Sequence, residues 1–431
     1  MIISSLFYRT ITMKNILCFM ILLGTAIGRG QMLFKPDRVF DGATLHPAWV
    51  VLVEGEVITY AGSPSGLKIP KGTQEISLKN MTLMPGIIEG HSHLLLHPYN
   101  ETDWNDQVLK ESPVERAIRG TVHAKNSLMA GITTVRDLGS EGAGYADVSL
   151  KKTIDQGIVA GPRMLVAGPA IVATGAYGPK GFHDGVTVPL GAEPVSGVDE
   201  AIRTVRRQLG NGVDFIKIYA DYRWGAGEPS QPTFLSNEIE AMVAAASSAG
   251  RYVVAHASTP EGMRRAIMGG VETIEHGDGG TEEIFGLMKD RGVALCPTLA
   301  AGDAIARYGG WKKGIDPEPI RIGEKRASFR RALDSGVTIV FGGDVGVFSH
   351  GANYLEMELM VDYGMSPTEV LKAATSVNAE VFHLEKLGKL EKNYLADLIA
   401  IPGDPTKNIE AMRQVKLVVK NGVVYKNEVP N

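Results

Sequence analysis

Cysteine is nearly absent from this sequence, with two in 431 residues. Two thiols cannot build a disulfide framework, so a hydrophobic core has to hold the fold. A 44% hydrophobic and 21% charged composition over this length supplies one,. Basic excess is lacking too. A formal net charge of −4 leaves no electrostatic footprint for nucleic acid or an anionic membrane,. Long apolar runs are missing: the run at residues 16–27 is too short to span a bilayer comfortably,. No Gly-x-Gly-x-x-Gly fingerprint stands at the first strand–helix turn, which withdraws support from an open, doubly wound sheet,.

The short apolar run suits a targeting segment. Met13-Lys14-Asn15 forms a charged start, residues 16–27 an apolar centre, and Gly28-Arg29-Gly30-Gln31 a small, polar cleavage zone,. Residues 1–30 are therefore expected to be a signal peptide starting at Met13, with export to a periplasm or the cell exterior. No stable membrane insertion is expected after its removal, and Cys296 would remain as a core thiol in the apolar run 293–296,.

What the sequence has in quantity is glycine, 51 residues, as needed where many strands and helices meet through tight turns,. Residues 32–80 alternate short apolar runs with turns, a β-meander pattern, and residues 396–425 repeat it,. Between them strands and helices alternate. Strands are expected at 81–88, 132–136, 163–167, 213–219, 252–256, 271–275, 293–299 and 337–341. Helix starts are marked by Ser112-Pro113, Thr259-Pro260, Thr281-Glu282 and Ser366-Pro367,. Eight alternating units imply an α/β fold with a closed (β/α)8 barrel of the TIM type. Residues 84–392 would form it, with a small composite β-sandwich built from both termini, 31–83 and 393–431.

Chemistry-bearing residues collect at the carboxyl ends of the expected strands. His91 and His93, one residue apart, point the same way at the end of the first strand and form half of a metal site,. Lys217 lies inside the apolar fourth strand, His256 and His276 end the fifth and sixth, and Asp344 follows the eighth. Barrel active sites assemble at this face. A buried, charged lysine is costly, but its amine can react with carbon dioxide to give a carbamate, an anion able to bridge two cations. Imidazole and oxygen ligands suit zinc, with manganese or cobalt as other candidates. A hydroxide held between two such ions would be a nucleophile near neutral pH. Asp344 is the expected catalytic group, passing that proton to the leaving group. Just beyond the fourth strand, Asp221 and Arg223 are placed to meet a substrate's amine and carboxylate, or to remain solvated.

The segments Pro85-Gly-Ile-Ile-Glu-Gly-His-Ser-His93, Gly131-Ile-Thr-Thr-Val-Arg-Asp-Leu-Gly139, Phe215-Ile-Lys-Ile218, Ala255-His-Ala257, Ile274-Glu-His-Gly277 and Gly343-Asp344 together resemble the amidohydrolase superfamily. More closely they resemble its imidazolonepropionase-related branch, with Xaa-Pro dipeptidases (prolidases) and other small-peptide or N-acyl-amino-acid hydrolases. The resemblance spans about residues 33–427. It implies a binuclear zinc site in which His91, His93 and Asp344 hold one ion, His256 and His276 the other, and carboxylated Lys217 bridges them. It also implies hydrolysis of an amide or peptide-like C–N bond in a small-molecule substrate such as a dipeptide or N-acyl amino acid. The enzyme is expected to assemble with copies of itself. Tyr219 matches a substrate-contacting tyrosine of relatives. Two positions depart from the pattern: Glu89 stands where an aspartate is usual, and Thr174-Gly-Ala-Tyr177 replaces Thr-Gly-Gly-His, so Tyr177 or His183 would take over a substrate-side role. The alternatives are a one-metal cyclic-amide hydrolase or deaminase, and a metal-bearing scaffold or binding protein without catalysis.

Overall fold

The computed structural model describes residues 30–183 and 185–429; the expected signal peptide, Gly30 aside, lies outside them. Both termini meet in one hydrogen-bonded sheet, into which the strands expected of a sandwich are all joined. Its centre is a long strand, Gln74–Pro85, parallel to Gln31–Phe40 on one side and antiparallel to Leu398–Pro402 on the other. The meander Val50–Glu54 and Val57–Gly62 extends one edge, and the hairpin Leu417–Lys420 and Val423–Asn427 extends the other.

The first barrel strand is Ile87–Ser92. The apolar run at 81–88, expected to be that strand, is divided by Pro85-Gly86: Met81–Pro85 pairs with the C-terminal strand, Leu83 opposite Ala400. Proline offers no N–H to a ladder, and a Cβ at Gly86 would lie 2.2 Å from Thr133 Oγ1. The chain therefore changes sheets there. Further barrel strands follow at Ile132–Asp137, Arg163–Val166, Ile216–Tyr219, Val253–Ala257, Thr273–His276 and Ala294–Cys296, in parallel pairs. The third and fourth are linked by Asp214 N–H to Val166 O at 2.8 Å.

Residues 337–341 close the barrel without a full ladder. Ile339 bridges to Leu295, and Gly90 N–H donates to Phe341 O at 3.0 Å. The buried amide of Asn378 stands in for the missing pairing. Its oxygen accepts from Phe341 N–H, and its nitrogen donates to the carbonyls of Ile88 and Phe341. The seventh strand ends at Cys296, short of the expected Leu299. Pro297 breaks the ladder, Thr298 takes a left-handed φ of 50°, and an unexpected helix runs over Leu299–Tyr308,.

Helix starts follow the local chemistry read from the sequence. Ser112, Thr259, Thr281 and Ser366 each accept a hydrogen bond from the N–H three residues on, with proline next in line at all but Thr281,. No helix among the described residues is long and apolar enough to cross a membrane.

Candidate metal centre

Barrel strands align their carboxyl ends at one face, and there the structure collects the six residues. The rings of His91 and His93 lie 5.4 Å apart between centroids, those of His91 and His276 5.1 Å, and those of His256 and His276 4.6 Å. Asp344 Oδ1 stands 3.6 Å from His91 Nε2 and 3.4 Å from His93 Nε2. These are the spacings of a tetrahedron's edge: ligands about 2.1 Å from a common ion sit about 3.4 Å from one another. Ligand atoms of His91, His276 and Asp344 also lie within 4.8 Å of one another.

Three of the four imidazoles are anchored through Nδ1. Nδ1–H of His91 donates to Glu275 Oε2 at 2.9 Å and that of His93 to Gly139 O at 3.0 Å, while His276 Nδ1 pairs with Thr298 Oγ1 at 2.7 Å. His256 instead turns Nε2 towards Asp221, at 3.6 Å. One ring nitrogen of each remains for the cluster, the arrangement in which an outer hydrogen bond orients a metal-binding histidine. Burial lowers His91 to about 4, and burial with the charge of Lys217 lowers His256 to about 3. Burial and the neighbouring His256 push His276 well below its ordinary value. These rings are neutral near pH 7, as ligation requires. His93 differs: burial would lower it, but Asp344 outweighs burial and raises it to about 9. Asp344 is held ionised, because His91 and His93 overcome the upward push of burial. A cation seated between them would take the place of the proton on His93. The donor set thus fits a divalent metal ion.

Lys217 is 1% exposed, and no hydrogen bond or ion pair to its Nζ is found among the described residues. Burial pushes its amine downward,. Beneath it the barrel floor is charged rather than apolar. Arg136, fully buried, bonds Glu275 Oε1 at 2.8 Å, Thr273 Oγ1 at 3.1 Å and Gly90 O at 2.7 Å. Glu275 therefore joins His91 to Arg136, and it is held ionised by Arg136 and His91 against burial. Sequence reading passed over both residues, although a charge inside each of two apolar strands was the available signal. Glu275 faces the barrel interior, so regular alternation would turn His276 outward. A left-handed φ of 76° at His276 turns it back in, and Asp344 (62°), Thr298 (50°) and Glu141 (49°) share that rare conformation,.

Glu89, in place of the usual aspartate, accepts from His91 N–H at 3.0 Å, Gly343 N–H at 2.8 Å and Asn353 Nδ2 at 2.7 Å. It ties the first strand to the loop carrying Asp344. Asp221 is engaged by the Ser258 and Thr259 N–H groups and the Thr259 hydroxyl. That removes it from the expected role of binding a substrate amine.

Above the donors opens a cavity of about 610 Å³, reached by His256, His276 and Asp344. Tyr177, Tyr219 and Arg223, expected to meet substrate, line it. His183 does not: it is exposed, and its Nδ1 accepts from Gly185 N–H at 3.1 Å in its own loop. The Gly178 and Gly181 turns (φ 109° and 92°) carry the loop past the cavity after Tyr177.

Comparison with known proteins accords with this geometry. Residues 82–425 match the model of the Amidohydrolase family. The ochratoxinase of Aspergillus niger is 29% identical over 419 residues, covering 90% of this chain and 84% of that protein. The imidazolonepropionase of Streptomyces avermitilis is 24% identical over 389 residues, covering 88% and 84%. Among solved structures, a Xaa-Pro dipeptidase with methionine bound in its active site superposes with a TM-score of 0.81 at 30% identity, covering 92% of this chain and all of that one. Members of the superfamily generally bind divalent metals, and these relatives hydrolyse C–N bonds of small molecules. With the match running through the whole barrel and into the C-terminal strands, the chain belongs to the amidohydrolase family.

Proposed function

We propose that this protein is an exported hydrolase with two divalent ions, zinc the expected species, which cleaves the amide bond of a small substrate such as a dipeptide or an N-acyl amino acid. The observation that carries the reading is the gathering of four imidazoles and Asp344, with Lys217 on the fourth strand, at the floor of one cavity into which His256, His276 and Asp344 open. His91, His93 and Asp344 would hold one ion and His256 and His276 the other. Lys217 would lie between them as a carbamate, formed when its neutral amine adds to carbon dioxide and loses a proton. Bound metal would supply Lewis acidity to the amide carbonyl and make water nucleophilic near neutral pH.

The chain's own residues do the rest. Ionised Asp344 accepts the proton of the attacking water and returns it to the departing nitrogen as the C–N bond breaks. Tyr219 and Tyr177 border the substrate. Arg223 stands at the cavity rim, with no carboxylate partner among the described residues, and would receive the substrate's carboxylate,. Export rests on the charged and apolar pattern of residues 1–30.

The test is free-amine release by zinc- and bicarbonate-reconstituted protein across dipeptides and N-acyl amino acids, with metal content measured alongside. Turnover with two ions per chain is expected. One ion per chain with unmodified Lys217 would overturn the binuclear reading in favour of a ring-opening hydrolase or deaminase. Two ions without turnover would reject the substrate class.

A further inference from the structure

Of the four left-handed, non-glycine residues around the cavity, three have a place in the reading above: His276, Thr298 and Asp344. The fourth, Glu141, has none. Backbone strain of this kind persists where the surroundings enforce it. Here the enforcement is visible. Buried Arg116 donates through Nη1 to Glu141 O at 2.5 Å and through Nε to Leu95 O at 2.9 Å. The result is a carboxylate only 3% exposed, behind the cavity-lining Trp104 and Tyr177, with Oε1 3.9 Å from His93 Nδ1.

One oxygen of that carboxylate gathers the aromatic wall. Glu141 Oε2 accepts from Trp104 Nε1–H at 2.8 Å and from the Tyr177 hydroxyl at 3.0 Å. With its hydrogen so directed, Tyr177 can accept from Tyr219 O–H, at 3.4 Å. The rings follow the bonds. Trp104 meets Tyr177 edge-on at 5.3 Å, Tyr177 lies 4.6 Å from Tyr219 and 4.8 Å from Tyr222, and Tyr219 stacks on His256 at 4.6 Å. The wall thus runs without a break from the cavity rim to a donor of the metal cluster. It stands where a histidine is replaced by Tyr177, and its other anchor, Trp104, opens the helix Trp104–Lys110.

We propose that Glu141 is a positioning residue that clamps Trp104 and Tyr177 into a subsite for a planar aromatic group, so that the substrate is an amide bearing an aromatic ring beside the scissile bond. Four aromatic rings facing one cavity favour a flat, polarisable partner over an aliphatic one of equal size. Edge and face contacts of this type contribute beyond their buried area. Glu141 itself touches the wall rather than the substrate. The inference rests on the amide-hydrolase reading for the word "substrate", but the subsite can be tested by binding alone.

The experiment pairs N-acetyl-phenylalanine with N-acetyl-cyclohexylalanine on the metal-loaded full-length chain. Binding is read by calorimetry and by the change in tryptophan fluorescence that is lost in Trp104→Leu, and hydrolysis by amine release. The wild type is expected to favour the aromatic compound about three- to tenfold in Kd and in kcat/KM. Glu141→Gln, which keeps the volume and one acceptor, is expected to reduce that ratio towards one by raising KM for the aromatic compound more than for the aliphatic one, with metal content measured alongside because Glu141 Oε1 lies 3.9 Å from His93 Nδ1. Trp104→Leu is expected to do the same and serves if Glu141→Gln does not fold. Equal affinity for the two compounds in the wild type would overturn the proposal. So would an unchanged ratio in both variants, or a loss of kcat and metal rather than of selectivity. Selective aromatic binding without hydrolysis would support the subsite while rejecting the amide-hydrolase reading.

Discussion

The donor cluster and the aromatic wall border one cavity and touch at Tyr219 and His256, yet they are built by different means. Lys217, His256 and His276 stand on strands held in parallel ladders, His91 lies near the end of the first strand with its ring fixed by Glu275, which Arg136 binds in turn, and the His276 ring pairs with Thr298. Tyr177 comes from a connection between elements and Trp104 from the first position of a short helix, and the side-chain bonds to Glu141 bring the two together. A ladder places a side chain through many shared hydrogen bonds, so the cluster is rigid before any ligand arrives. The wall relies on a single carboxylate. Chemistry and specificity are thereby assigned to different supports, which meet where Tyr219 stacks on His256 and Glu141 approaches His93,.

The largest expected effect breaks the cluster at its reacting group. Asp344→Asn should lower kcat by about 10²–10⁴, and metal content would show whether the ion at His91 and His93 survives. Unchanged turnover with metal bound would remove Asp344 from proton transfer. Next comes the floor. Glu275→Leu leaves the guanidinium of Arg136 buried without its partner, so a stability loss of about 3–5 kcal/mol is expected, read as a lowered thermal midpoint,. His91 also loses its anchor, and metal content should fall in step,.

The wall should respond more gently. Tyr177→Phe deletes one hydroxyl from the chain that ends at Glu141, removing bonds worth about 1 kcal/mol each,. A several-fold rise in KM with kcat unaltered is expected from steady-state kinetics. A fall in kcat of the Asp344→Asn size would mean that wall and cluster are not separable.

The smallest effect lies far from both, and marks what a charge does outside the site. Burial lowers Lys420 to about 8, although its ammonium donates to Gly161 O at 2.6 Å. The folded state therefore disfavours the charged form: the penalty is complete below pH 8 and fades as pH rises towards the unfolded lysine value of about 10.5. Stability should rise slightly between pH 8 and 10.5, and Lys420→Met should flatten that rise in thermal midpoints measured across the range.

Local rules made much of this legible. Ser112, Thr259, Thr281 and Ser366 announce helix starts through chemistry within four residues, and His91-Ser-His93 announces a strand end through alternation. The division at Pro85-Gly86 was harder to see, because a long apolar run reads the same whether it serves one sheet or two. Residues 337–341 were expected to pair fully, but the Asn378 amide, distant in sequence, takes over part of that pairing. Arg136 and Glu275 lie 139 positions apart, so neither signals the other along the chain.

By itself the sequence determined the alternating architecture, the order of the donors and their arrival at one face, since strand period and chain direction are local properties. Only the tertiary structure decided which nitrogen of each imidazole is left for a metal, that Asp221 is engaged elsewhere, and that Glu141 gathers Trp104 and Tyr177. Those outcomes depend on distances between residues far apart in the chain, and such distances exist only once the barrel has closed.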